Sequence, residues 1–177
     1  MARPLEPAQR RVELALGDIT QQRVDAIVNA ANAELVPGGG VDGAINRAGG
    51  SAIGAAMRAI GGCATGDAVA TTAGDLDAKH VIHAVGPIWR GGGAGEPELL
   101  ASAHRRALAV AAELGCRSVA FPAISCGVYG YPPEQAAPIA LAEARDAVAR
   151  YDRLELVRFV LFSDELYRTF DRASTSR

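Results

Sequence analysis

Asn29, Asn32 and Asp42, with Gly38-Gly39-Gly40 between them, are the residues whose types and spacing could do chemistry in this sequence. Pro37 and the three glycines form a turn that a phosphate can approach without meeting Cβ atoms. A helix-forming segment starts at Val41. The free N–H groups of a helix start, together with the positive end of its dipole, favour an anion. Asp42 is a carboxylate in that same first turn. It either complements the dipole, worth about 0.3–1 kcal/mol, or is a reactive group held beside a bound phosphate ester. A second small-residue stretch, Ile124 to Tyr131 (ISCGVYGY), offers the Ser125 hydroxyl, the Cys126 thiol and two tyrosines.

Both stretches follow apolar runs that suit buried strands. Val24–Asn29 leads into the first and Ser118–Phe121 into the second. Upstream, Val12, Leu14 and Leu16 alternate with polar or small residues, giving a first strand that ends at Gly17-Asp18-Ile19-Thr20. Asp18 there reads as a turn or helix-capping residue. A helix is expected from about Val41 to Ile60, weakened by Gly49-Gly50 and Gly54, with a break or close packing near them. Ala68–Thr72 and His80–Val85 are further strands, the second stopped by Gly86-Pro87. His80 and His83 fall on opposite faces of that strand, poorly placed to share a metal, and are read as structural. Gly91 to Gly95 reads as a flexible exposed connector. Pro97 opens a helix over Glu98–Leu114 that Gly115 closes. Pro133–Tyr151 is a helix, Leu154–Phe162 a last buried strand and Asp164–Phe170 a terminal helix. Met1 to Arg10 reads as an extended lead-in, and Ala173 to Arg177 as a tail.

Strands alternating with helices imply an α/β sheet with helices on both faces and ligands outside the carboxyl ends of the strands. Two loops that both follow strands would line one crevice there. A phosphate-bearing nucleotide fits such a crevice, with Tyr129 or Phe162 covering a sugar or base.

Composition narrows the class. A chain of 177 residues with 49% hydrophobic and 21% charged side chains reads as one soluble globular domain over 1–177. The net charge of −2 gives no general attraction to nucleic acid. Cys63, Cys116 and Cys126 lie far apart, without a CxxC pair, which fits a reducing cytoplasm. No secretory signal and no membrane-length apolar run is read. The glycine spacing does not match GxGxxG, no Gly-Lys dipeptide supports a P-loop, and Ser125 in ISCG is not a GxSxG elbow. Cys126 lacks an indicated base and reads as a small loop-packing residue.

Taken together, Asp18-Ile19-Thr20, Asn29-Ala30-Ala31-Asn32, Gly38 to Ile45 (GGGVDGAI), Val81 to Pro87 (VIHAVGP) and Phe121 to Pro132 (FPAISCGVYGYP) resemble the ordered motifs of a macrodomain. The resemblance runs from about residue 12 to 170. The aspartate after GGGV is similar to the MacroD-type branch. It implies a three-layer α/β/α fold with a mixed, mostly parallel central sheet. It also implies hydrolysis of mono-ADP-ribose esters on acidic protein side chains and deacetylation of O-acetyl-ADP-ribose. A non-catalytic ADP-ribose reader is the alternative.

Carried over by motif, the resemblance implies that Asp18 accepts the adenine amine, beside the Ile19 backbone, and that this outweighs the capping role. Gly38, Gly39, Gly40 and Val41, with Ser125, Cys126, Gly127, Val128 and Tyr129, would hold the diphosphate mainly through backbone N–H groups. Phe162 would lie against adenine, Tyr129 would cap the distal ribose, and Asn32 would fix that ribose by its hydroxyls. Asp42 would orient or activate the attacking water. Asn29 is read as structural, satisfying loop backbone groups. Two departures stand out: Cys126 where threonine is frequent in the branch, and Asn46 where many relatives carry histidine. Asn46 lies one helical turn beyond Asp42, where the histidine of those relatives would tune the carboxylate. The resemblance implies no cofactor and no metal. Its partners would be ADP-ribose, O-acetyl-ADP-ribose and mono-ADP-ribosylated proteins, without a membrane. Action on terminal ADP-ribose adducts of nucleic acid is a third, weaker alternative that the slightly acidic chain does not indicate, and a monomer is expected.

Overall fold

The computed structural model describes residues 10–176. The lead-in assigned to residues 1–10 lies outside them, apart from Arg10. Six strands form one sheet: β1 (Arg11–Leu16), β2 (Ala26–Ala30), β3 (Ala68–Thr72), β4 (His80–Ala84), β5 (Ser118–Phe121) and β6 (Leu156–Leu161). Their spatial order is β1-β6-β5-β2-β4-β3. All neighbours are parallel except β3, which pairs antiparallel with β4 at one edge. The sheet is therefore mixed and mostly parallel, as the resemblance implies.

Side-chain alternation splits the core in two. Val28, Ile82, Phe121 and Phe159 join one apolar cluster with residues of α3 (Glu96–Glu113), α4 (Pro133–Arg150) and α5 (Asp164–Thr175). Ile27, Val81, Ala120 and Val160 join the other, with residues of α1 (Gly40–Gly49) and α2 (Ser51–Ile60). Strands buried on both faces read as continuous apolar runs, which is why they were visible in the sequence. Asn29 and His83 follow Ile27 and Val81 by two residues, so both fall on the α1/α2 face.

Gly50 separates α1 from α2. At φ 83° it takes a conformation that L side chains rarely adopt, and so marks the break expected near Gly49-Gly50. The terminal helix differs from expectation: α5 continues to Thr175 and absorbs the first residues assigned to the tail. Ser163 caps its start, accepting from Leu166 N at 3.2 Å. The hydroxyls of Ser174, Thr175 and Ser176 donate back to the carbonyls of Asp171 and Arg172, satisfying groups that a helix end otherwise leaves open. The glycine connector also differs. The buried Glu96 carboxylate accepts from Arg90 N, Gly92 N and Ala94 N at 3.0, 2.7 and 2.6 Å, so Gly91 to Gly95 is anchored by the helix it precedes. Burial alone would raise the Glu96 carboxyl. The surrounding backbone N–H groups outweigh it and hold the group below the usual carboxylate value.

Candidate active site

At the carboxyl ends of β1, β2, β5 and β6 lies a cleft of about 790 Å³. It is lined by every residue singled out from the sequence as catalytic or ligand-binding: Asp18, Ile19, Asn32, Gly38 to Asp42, Ser125 to Tyr129, and Phe162. Ile124, Leu161 and Leu166 also line it, and Gly86 reaches it from the turn after β4. These were not singled out, because an isolated apolar side chain or a lone glycine carries no chemical signature of its own.

The two loops present unengaged backbone donors. Among the described residues, Gly39 N, Gly127 N, Val128 N and Tyr129 N donate no hydrogen bond to the protein, and Gly40 and Val41 occupy the first turn of α1. N–H groups left open at a helix start and in a turn form a concave site for an anion. Gly38 departs from the sequence expectation, since its N–H is taken by Asp42 Oδ2 at 2.8 Å. It shapes the turn and positions Asp42, while Gly39 to Val41 supply the open donors.

Asp42 is 5% exposed, and three donors hold its carboxylate. Asn29 Nδ2 and Asn46 Nδ2 donate to Oδ1 at 2.7 and 2.9 Å, and Gly38 N donates to Oδ2. Asn29 is thus structural in a way not foreseen. Its amide serves Asp42 and His83, not loop backbone, because β2 carries it beneath the first turn of α1. Asn46 also donates to the Asp42 carbonyl at 2.9 Å, so an asparagine one helical turn on still supports the carboxylate directly. A carboxylate offers about four acceptor positions. Three are filled, and Oδ2 makes no second hydrogen bond among the described residues, in a side chain that lines the cleft.

Asn32 uses both ends of its amide on Val36, accepting from Val36 N at 3.1 Å and donating to Val36 O at 2.8 Å. It closes the loop that precedes the glycines, while Leu35, at φ 53°, is fully buried beneath. Asp18 caps the single 3-10 turn Ile19–Gln21, its Oδ1 accepting from Thr20 N and Thr20 Oγ1 at 2.9 and 2.7 Å. The capping role is therefore realised. Oδ2 makes no hydrogen bond among the described residues and stays open to a ligand.

On the second loop, Ser125 sits at φ 66° with its Oγ buried and unpartnered among the described residues. Cys126 packs against the apolar cluster beneath it. Burial, reinforced by Glu134, pushes its thiol up to about 12, which removes it as a nucleophile at neutral pH. Burial, with Glu34 and Asp42 nearby, likewise raises the Tyr129 phenol, so it remains a hydrogen-bond donor. Tyr129 O accepts from Trp89 N at 2.8 Å, tying the loop to the segment after β4. Phe162 follows β6 at the cleft and is 71% exposed, leaving its ring uncovered by the protein.

Residues 28–140 match the family described as Macro domain. The chain is 56% identical over 163 residues to a macro domain-containing protein of Cupriavidus necator, covering 90% of this chain and 94% of that one. It is 53% identical over 171 residues to an O-acetyl-ADP-ribose deacetylase of Salmonella newport, covering 94% and 96%. Among solved structures, the Oceanobacillus iheyensis macrodomain with ADP superposes with a TM-score of 0.87 at 38% identity, covering 91% and 88%. The Trypanosoma brucei macrodomain in complex with ADP-ribose gives 0.88 at 36% identity, covering 97% and 72%.

Proposed function

The chain belongs to the macro domain family, and from that premise we propose that it is a hydrolase of ADP-ribose esters. Its substrates would be O-acetyl-ADP-ribose and mono-ADP-ribose attached to acidic side chains of proteins. The observation that carries this reading is Asp42, a buried carboxylate held by three donors at the edge of an otherwise anion-attracting helix start. A site built only to bind a diphosphate gains nothing from a negative group there, since like charges repel.

The diphosphate would rest on the open N–H groups of Gly39 to Val41 and Gly127 to Tyr129, which hold it by backbone alone. The similar macrodomains bound to ADP and to ADP-ribose support a diphosphate-bearing ligand. The Asp18 Oδ2 would take the adenine amine, and the exposed ring of Phe162 would cover the base. Asn32 would reach the distal ribose, and Tyr129 would close over it. With the substrate so fixed, the free position on Asp42 Oδ2 orients a water toward the ester and accepts its proton. For O-acetyl-ADP-ribose the water oxygen adds to the acetyl carbonyl carbon. The bond from that carbon to the ribose oxygen breaks, and the proton returns to the ribose oxygen, giving acetate and ADP-ribose.

One observation favours the reader alternative: the three hydrogen bonds to Asp42 also suit a purely structural anchor for the glycine loop. The two readings separate on one comparison. Wild type and Asp42→Ala are assayed for acetate release from O-acetyl-ADP-ribose and for ADP-ribose release from an aspartate/glutamate-modified protein, with calorimetric ADP-ribose binding on both. Release by wild type alone, with binding kept in the variant, establishes the hydrolase. Binding by both with release by neither makes the protein a reader.

A further inference from the structure

A directed series of hydrogen bonds runs from the sheet edge to Asp42 and gives His83 a task beyond filling the core. Asn29 on β2 and His83 on β4 stand directly opposite each other, and Thr71 on β3 pairs with Val81, two residues before His83. Thr71 Oγ1 donates to the Thr72 carbonyl at 3.0 Å, so its oxygen is left to accept. The donor it meets is His83 Nε2–H, at 2.8 Å. That places the imidazole proton on Nε2 and a lone pair on Nδ1. The lone pair faces Asn29 Nδ2 at 3.1 Å, and the second N–H of the same amide faces Asp42 Oδ1 at 2.7 Å. Asn29 and His83 are fully buried, so no water competes from bulk solvent.

The amide of Asn29 therefore has one orientation. Turned over, its oxygen would meet both the His83 lone pair and the Asp42 carboxylate, two acceptors at once. We propose that His83 is a positioning residue for Asp42: its Nδ1 lone pair, oriented by Thr71, locks the Asn29 amide that holds the carboxylate in place. This rests on the reading of Asp42 as the group that acts on the ester. Burial also pushes the imidazole down to about 4, so the neutral ring that the geometry requires persists at neutral pH.

The test uses isosteric replacements. His83→Asn retains an acceptor near the Nδ1 position, whereas His83→Gln retains only the far end that meets Thr71. Turnover of O-acetyl-ADP-ribose is measured for wild type, both variants, Asp42→Ala and the Asp42→Ala/His83→Gln pair, with calorimetric ADP-ribose binding and thermal unfolding on each. The expected result is a kcat lowered by about 10- to 100-fold in His83→Gln, the scale of a misplaced reacting group. ADP-ribose affinity should be unchanged, and His83→Asn should restore most of the rate. In the Asp42→Ala background, His83→Gln should cost nothing further. Thr71→Val, which frees the ring proton with little change of volume, should lower kcat in the same sense and serves if His83→Gln does not fold. Wild-type kcat in His83→Gln or Thr71→Val beside an inactive Asp42→Ala overturns the inference and leaves the role of Asp42 intact. Equal damage in His83→Asn and His83→Gln overturns it too, since the acceptor would then be irrelevant. Full activity of Asp42→Ala removes the carboxylate reading itself and the inference with it.

Discussion

Gly86 packs against Ser125 so closely that a Cβ on Gly86 would overlap the Ser125 Oγ and lie 2.5 Å from Ile124 Cγ2. The turn after β4 thus supports the second loop from beneath, at the residue where that loop adopts φ 66°. Gly86→Ala has to displace the loop. Overpacking of this kind costs about 1–3 kcal/mol. The open N–H groups of Gly127 to Tyr129 move with it, so ADP-ribose affinity should fall along with stability. Urea unfolding and calorimetry check both, and wild-type affinity in this variant would show that the loop is not held from below.

Ser125 itself invites the opposite expectation for stability. Its Oγ is buried without a partner among the described residues, so the free protein gains nothing from the hydroxyl. Ser125→Ala should leave the melting temperature unchanged or higher. If the hydroxyl serves a phosphate oxygen, ADP-ribose affinity drops by about 0.5–1.5 kcal/mol, a typical net hydrogen bond. Equal affinity in the two proteins would assign the loop's binding to backbone alone.

Asp42 carries a structural load as well as the proposed chemical one. Asp42→Ala leaves Gly38 N without its acceptor and takes one acceptor each from the Nδ2 groups of Asn29 and Asn46, which keep only His83 Nδ1 and the backbone carbonyl at position 42. An unsatisfied buried donor costs about 1–3 kcal/mol, so the variant should unfold at lower urea even with ADP-ribose binding largely kept. Asp42→Asn keeps the volume but points an N–H at donors, and should lose both stability and turnover. Loss of general-base assistance predicts a rate lower by about 10²–10⁴-fold. Turnover within a few-fold of wild type would leave Asp42 as an anchor only.

Glycine turns, Asn32, Asp42 and the strand runs were legible because each has a local signature: a residue type, a spacing, a period. The cleft followed from them, since loops after parallel strands converge at the carboxyl ends of the strands. Pairings between distant segments were not legible. Nothing near Asn29 in the chain says that His83 lies opposite it or that Asp42 lies above it, so its amide was assigned to loop backbone. Glu96 was missed for a similar reason, because its three partners depend on how the glycine loop folds back. The end of α5 was misread because Ser174 and Thr175 look like a tail until their hydroxyls are seen returning to helix carbonyls.

Acid stability should be governed first by two buried histidines. Burial pushes His83 and His104 from the ordinary 6.5 down to about 4. His104 Nδ1 meets the Leu100 carbonyl at 2.8 Å, its Nε2 is buried without a partner among the described residues and its ring stacks on Phe121, so burial outweighs the carbonyl and Glu143, which favour the charged form. Between those two values the unfolded chain binds protons that the native protein refuses. Stability is therefore complete above about pH 6.5 and falls as the pH drops through about 4, and only below that are both states protonated alike. Each histidine contributes a slope of at most about 1.4 kcal/mol per pH unit. Carboxylates held below their usual values, such as Asp25 and Glu13, add their loss only at the acid end of this window. Urea unfolding in steps between about pH 7 and pH 5 measures the slope. His104→Leu, which removes one of the two groups, should roughly halve it. A flat profile over that interval, or a slope untouched by the substitution, would mean that the histidines are not the source of the acid sensitivity.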